Sequence, residues 1–194
     1  MKDRALDALA VRLARHVGPG ALTLAGLASS LAAAALAWQG LALVAAAAWL
    51  VGRLADGLDG PVARRRGSAS DLGGYLDVVA DTVGYAVVPL GVAAGLDDRA
   101  GWVTVAVLQA VLFVNAISWS YLAAVLEKRG AGAASTGEVT AITMPPALVE
   151  GTETIVVFTA FLAVPRIAPV LFGAMAVLVA VNVAQRLRWA RRHL

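Results

Sequence analysis

The sequence predicts an all-α, polytopic membrane protein with six transmembrane helices preceded by an N-terminal interfacial amphipathic helix. Three observations carry that expectation. Hydrophobic residues make up 60% of the 194 positions and the mean hydropathy is +0.77, well outside the soluble range. They gather into six stretches, each near the roughly twenty residues needed to cross a hydrocarbon core, with polar turns between them. The basic residues are distributed unevenly. Thirteen of the sixteen Lys and Arg residues fall in the N-terminal segment, the 64–66 turn, the 128–129 loop and the C-terminal tail, whereas only Arg99 and Arg166 lie on the opposite side. Positive charge marks the cytosolic face, so both termini are expected there, in a cytoplasmic (inner) membrane.

Residues 1–18 lack the long apolar core of a signal peptide. Leu6, Leu9, Ala10 and Leu13 share one helical face, with Lys2, Arg4, Arg12 and Arg15 mostly elsewhere, a pattern that lays a helix in the interface against anionic headgroups. His16 is read as interfacial rather than as a ligand. Span one covers residues 21–38, and Gln39-Gly40 turns the chain into span two, residues 41–64. Span three, residues 72–96, carries its polar residues first and its apolar half second, the reverse of span two. Asp97-Asp98-Arg99 is a polar turn. Span four, residues 102–126, holds Asn115, Ser118 and Ser120, which are expected to serve helix packing. The longest connection, residues 130–146, is rich in Gly, Ser and Thr. Span five, residues 147–164, opens near Glu150 and Glu153. Pro165-Arg166 leads into span six, residues 167–183, followed by a basic tail of Arg186, Arg188, Arg191 and Arg192. No internal repeat is visible and residues 1–194 read as one domain. Without cysteine there is no disulfide framework and no thiol chemistry.

The stretch from Asp56 to Asp81 stands apart from this apolar background. It places Asp56, Asp59, Gly60, Ala63 and Arg64 at the end of span two, and Gly73, Asp77 and Asp81 at the start of span three. Asp56 and Asp59 stand at i and i+3 with Gly60 beside them, so both carboxylates share a face that a ligand can approach. Gly73, Asp77 and Asp81 repeat the pattern on the next span. The intervening R-R-R-G-S-A-S-D is a turn by composition, which makes the two spans an antiparallel hairpin aiming four carboxylates at one point. Carboxylates are costly in a bilayer, and four together call for a cation. Hard oxygen donors suit magnesium or manganese, ions that commonly bind carboxylates together with substrate phosphates. A diphosphate substrate follows.

Those eight residues match, position for position, D-x2-D-G-x2-A-R-x8-G-x3-D-x3-D, and in this the chain resembles the CDP-alcohol phosphotransferase (CDP-alcohol phosphatidyltransferase) family. The resemblance implies transfer of a phosphatidyl (phosphoryl-alcohol) group from a CDP-alcohol to a hydroxyl acceptor, with release of CMP. It implies that Asp56, Asp59, Asp77 and Asp81 are ligands of two Mg2+ or Mn2+ ions, that Asp81 is also the catalytic base, and that Gly60, Ala63, Arg64 and Gly73 bind the nucleotide. It further implies a homodimer. No nucleic-acid partner is expected. A site in the inner leaflet favours a lipid donor, CDP-diacylglycerol, and hence a phospholipid product. Members that use phosphorylated inositol generally carry basic residues near the start of span five, where this chain has Glu150-Gly151-Thr152-Glu153-Thr154. Arg53, one turn before Asp56 on the same face, either binds phosphate or pairs with a carboxylate. The alternative in another chemical class is a polytopic, aspartate-rich prenyltransferase acting on a prenyl diphosphate, against which the G-x2-A-R element argues. A divalent-cation transporter needs carboxylates spread along a path, and these cluster at one depth.

Overall fold

The computed structural model describes residues 16–131 and 151–194. Six helices run through them: α1 (Pro19–Trp38), α2 (Ala42–Arg65), α3 (Asp71–Leu96), α4 (Arg99–Lys128), α5 (Gly151–Ala163) and α6 (Ala168–His193), with a short 3-10 turn at Pro165–Ile167. No strand occurs among the described residues. The interfacial helix expected over residues 1–18 lies outside them, save for its last three positions, as do most of the 130–146 connection, residues 147–150 of span five, and Glu150. α1, α3, α4 and the Pro165–His193 segment are long and apolar enough to cross a membrane, while α5 contributes a shorter apolar helix. α2 is as long as these, and Arg53, Asp56, Asp59, Arg64 and Arg65 lower its hydropathy. This is a multi-pass membrane protein.

The turns follow from local chemistry. Gly40 has φ 77° and Gly67 φ 62°, a left-handed conformation that glycine adopts without steric cost. The Ser70 hydroxyl caps α3 by accepting from the Gly73 N–H at 3.2 Å. Asp98 caps α4 through its carboxylate and the Gly101 N–H at 2.6 Å. Pro89 interrupts the hydrogen-bond ladder of α3, and Gln109 of α4 donates to the Ala86 carbonyl in the disturbed turn, at 2.9 Å. The helix that carries span six continues past Val183 to His193, because nothing in Ala184–Arg192 breaks a helix, so the basic tail is helical.

α1 packs between α2 and α3, and close approach makes this possible. A Cβ on Gly52 would stand 2.9 Å from Ser29 Cβ, and one on Gly91 or Gly95 would run into the backbone of Ala34 or Ala37. Small residues at such seams replace the hydrophobic driving force that lipid removes. Away from the signature, the core is aromatic. Trp49 stacks on Phe158 with centroids 5.0 Å apart, and Phe161 and Phe172 continue the cluster. At the signature end Arg129 donates to the Leu194 carbonyl at 2.9 Å, so α4 and α6 finish side by side. A Cβ on Gly18 would lie 3.4 Å from Arg66, which sets the start of α1 beside the end of α2.

Candidate active site

The antiparallel arrangement of α2 and α3 brings carboxylates from both helices together. One oxygen each from Asp56, Asp59 and Asp77 lie within 4.8 Å of one another. Asp59 is buried and Asp56 and Asp77 are half-buried. α1 completes the surroundings, with the Thr23 hydroxyl donating to Asp59 Oδ2 at 2.7 Å. A Cβ on Gly26 would lie 3.3 Å from the Gly52 carbonyl oxygen, so this glycine lets α1 approach α2 closely beside Asp56. Asp81 lies outside that group of three. Its Oδ1 accepts from Arg53 Nη1.

Arg53 thus resolves toward pairing. Nη1 also lies 3.4 Å from Asp56 Oδ2, and Nη2 donates to Ser30 Oγ at 3.5 Å. The guanidinium carbon sits 4.6 Å from the Trp49 ring centroid and 5.6 Å from that of Tyr85. Such contacts stabilise a desolvated cation, which here is only 7% exposed.

The positions matched to nucleotide binding lie along the mouth of the hairpin. Arg64 is exposed, and its guanidinium folds back over Gly60, where a Cβ would meet Nη1 at 3.2 Å. Ala63 is half-buried, and Gly73 is exposed in the first turn of α3. Glu153 is exposed in the first turn of α5.

Thr23, Ser30, Trp49 and Tyr85 also shape the site and were not singled out from sequence. A signal for two of them exists in α1. Thr23, Gly26 and Ser30 stand at i, i+3 and i+7, a polar and small stripe in an apolar span. On two other helices, Arg186 of α6 donates to Asn115 Oδ1 of α4 at 3.0 Å and to Ser118 Oγ at 3.2 Å, so two of the polar residues of α4 do join helices.

The donor set fits a hard divalent ion. All three groups offer carboxylate oxygens, and Asp77 Oδ1 is buried with no hydrogen-bond partner among the described residues, an orphan that a cation would satisfy. Membrane helices with an acidic site on a helical hairpin define the class, a polytopic membrane protein with a candidate divalent-metal site. The CDP-alcohol phosphatidyltransferase sequence profile matches residues 16–183, and the chain belongs to that family. The match decides against the prenyltransferase alternative.

The inner membrane protein YnjF of Escherichia coli strain K12 is 44% identical over 75 residues, covering 39% of this chain and 36% of that protein. The chain thus aligns with little more than a third of that relative's length. The fold is similar to that of the phosphatidylinositol phosphate synthase of Mycobacterium tuberculosis with CDP-DAG bound. The TM-score is 0.73 at 23% identity, over 95% of this chain and 92% of that one. The same synthase in complex with manganese and citrate matches with a TM-score of 0.73 at 22% identity, over 94% and 87% of the two chains.

Proposed function

We propose that the chain transfers a phosphatidyl group from a CDP-alcohol, CDP-diacylglycerol before others, to a hydroxyl acceptor, and so makes a phospholipid. The observation that carries this reading is the convergence of Asp56, Asp59 and Asp77 from two helices inside the family's signature. Family membership supports the reaction, and the CDP-DAG and the manganese in the related synthase support the donor and the metal. Asp56, Asp59 and Asp77 would hold magnesium or manganese, with Asp81 added by the resemblance. When bound, such an ion neutralises charge on the diphosphate and on the departing CMP.

The residues of the chain supply the rest. Asp81 takes the proton of the acceptor hydroxyl as its oxygen bonds to the phosphatidyl phosphorus and the bond from that phosphorus to CMP breaks. Arg64 offers a forked donor to phosphate. Gly60, Ala63 and Gly73 leave room for the nucleotide against the backbone. The same reading includes the homodimer and a cytosolic site, which the thirteen-to-two charge asymmetry supports. It also favours an unphosphorylated alcohol, since Glu150-Gly151-Thr152-Glu153-Thr154 stands where members that use phosphorylated inositol generally carry basic residues.

Purified protein should release CMP from CDP-diacylglycerol only with magnesium or manganese and only with an acceptor, across a panel of alcohols. Absence of CMP release with every acceptor would overturn the reaction, and efficient use of inositol phosphate would overturn the acceptor reading alone. In this cysteine-free chain, a single cysteine at Ser68 should label from the cytosolic side and one at Asp97 from outside. Labelling of Ser68 from outside in intact cells would reverse the orientation.

A further inference from the structure

We propose that the C-terminal end of α6 binds the phosphate of an anionic phospholipid at the membrane surface, through Arg188, Arg191 and Arg192. The lipid is a bound companion of the fold rather than a substrate, so the inference does not rest on the transfer reaction.

Depth along the helix puts these residues where headgroups lie. The Pro165–Ile167 turn leads into α6 at Ala168, and Arg188 stands twenty positions later. At about 1.5 Å per residue that is about 30 Å, the thickness of a hydrocarbon core. Val170, Val177, Leu178 and Val181 are exposed along this length, as a surface against lipid tails should be. Trp189 is half-buried and stacks on His193 with centroids 4.3 Å apart, and tryptophan favours the membrane interface. Arg188 therefore enters the headgroup layer, and Arg191 and Arg192 follow within about one turn.

The three arginines stand at i, i+3 and i+4, so they share one helical face. All three are exposed and line one open cleft. None forms an ion pair among the described residues. The end of α4 adds charge of the same sign: Arg129 donates to the Leu194 carbonyl at 2.9 Å, which brings the Lys128-Arg129 end beside α6. Residues 127–129 and 188–194 contain one acid, Glu127. The helix dipole accounts for cations in the last turn, where Arg191 and Arg192 lie, but not for Arg188 or for the second basic helix end. Guanidinium forks match phosphate oxygens, and basic clusters at this depth are drawn to anionic lipid. Leu187, exposed next to Arg188, offers an acyl chain an apolar contact.

The test is native mass spectrometry of the purified full chain released from micelles, after titration with phosphatidylglycerol or with phosphatidylcholine of the same acyl chains. The unmodified protein should bind phosphatidylglycerol more tightly. Arg188→Gln combined with Arg191→Gln should weaken that binding by about 25-fold, about fivefold for each arginine, and leave phosphatidylcholine unchanged. Arg65→Gln combined with Arg66→Gln removes the same charge from the end of α2 and should cost less than about fivefold, the worth of one arginine. Equal affinity for the two lipids would overturn the proposal, as would undiminished phosphatidylglycerol binding in the α6 variant. Equal losses in the two double variants would also overturn it, because the lipid would then answer to overall charge and not to this face. Should the α6 double variant fail to fold, Arg188→Gln alone decides: a loss of about fivefold is expected, and none is fatal.

Discussion

Two arginines are carried into the helical bundle, and their neighbourhoods differ in kind. Arg53 is buried against Asp81 and Asp56, inside a wall of α1, α2 and α3 that glycines draw tight. Arg186 is half-buried between α4 and α6 and, among the described residues, meets neutral acceptors, the Asn115 side chain and carbonyl and the Ser118 hydroxyl. The first region concentrates charge and must be managed with cations. The second uses its polar groups to fasten two helices. The same side chain therefore takes its role from its partners, and the carboxylate-rich neighbourhood is the one that carries the signature.

The sharpest way to break that contrast is to remove the carboxylates singly. Asp56→Asn, Asp59→Asn and Asp77→Asn are expected to abolish turnover and weaken manganese binding. Asp81→Asn is expected to lower kcat by about 10²–10⁴, the usual worth of a general base. Assays at limiting and saturating metal check both claims. Near-normal activity in the Asp56 or Asp77 variant at limiting magnesium would mean that the site lies elsewhere.

Next in size is the support from α1. Thr23→Val removes the 2.7 Å hydrogen bond to Asp59 Oδ2 while keeping the shape of the side chain. Loss of an outer hydrogen bond of this kind typically costs about 10–100-fold in metal affinity. Ser118→Ala, the comparable change beside Arg186, should leave the manganese dissociation constant unaltered. Equal responses from the two variants would erase the distinction between the regions.

Much of this contrast is legible in the sequence. The spacing of Asp56, Asp59 and Asp77 on two helices dictates their convergence, because helical periodicity and a short turn leave little freedom. Six apolar stretches and the turns at Gly40 and Gly67 are equally plain. The division among the aspartates is not, since whether Arg53 reaches Asp81 or a phosphate depends on Trp49, Tyr85 and Ser30, brought together only by tertiary packing. Thr23 shows in the sequence as part of a polar stripe in α1, but that Asp59 is its partner follows only from the packing. That the basic tail continues α6 as a helix is a separate matter from the span, because falling hydropathy marks where a helix leaves lipid, not where it stops.

The packing of the two regions separates them again, at smaller magnitude. Gly91→Ala forces a methyl group into the Ala34 backbone across the α1–α3 seam and should cost about 1–3 kcal/mol of stability, as overpacking does. A methyl group on Gly173 of α6 would meet nothing within 4 Å, so Gly173→Ala should instead gain about 0.5–1 kcal/mol from helix propensity. Unfolding in mixed micelles reads both signs. A neutral Gly91→Ala would show that the seam relaxes and that the wall around Arg53 is not rigid.

The smallest effect belongs to Arg186 itself. Its bonds to Asn115 and Ser118 join α4 to α6, and such interhelical hydrogen bonds in membranes are worth on the order of 1 kcal/mol, because the unfolded chain also finds partners. Arg186→Met and Asn115→Leu should each lower stability by about that amount. The double variant should cost less than their sum, since the second substitution removes a partner that the first had already stranded. Manganese binding should be untouched throughout, which separates a tie between helices from a charge that serves the site. Strictly additive losses would deny the contact, and weaker manganese binding in Arg186→Met would tie the α4–α6 pair to the carboxylate cluster and dissolve the contrast between the two arginines.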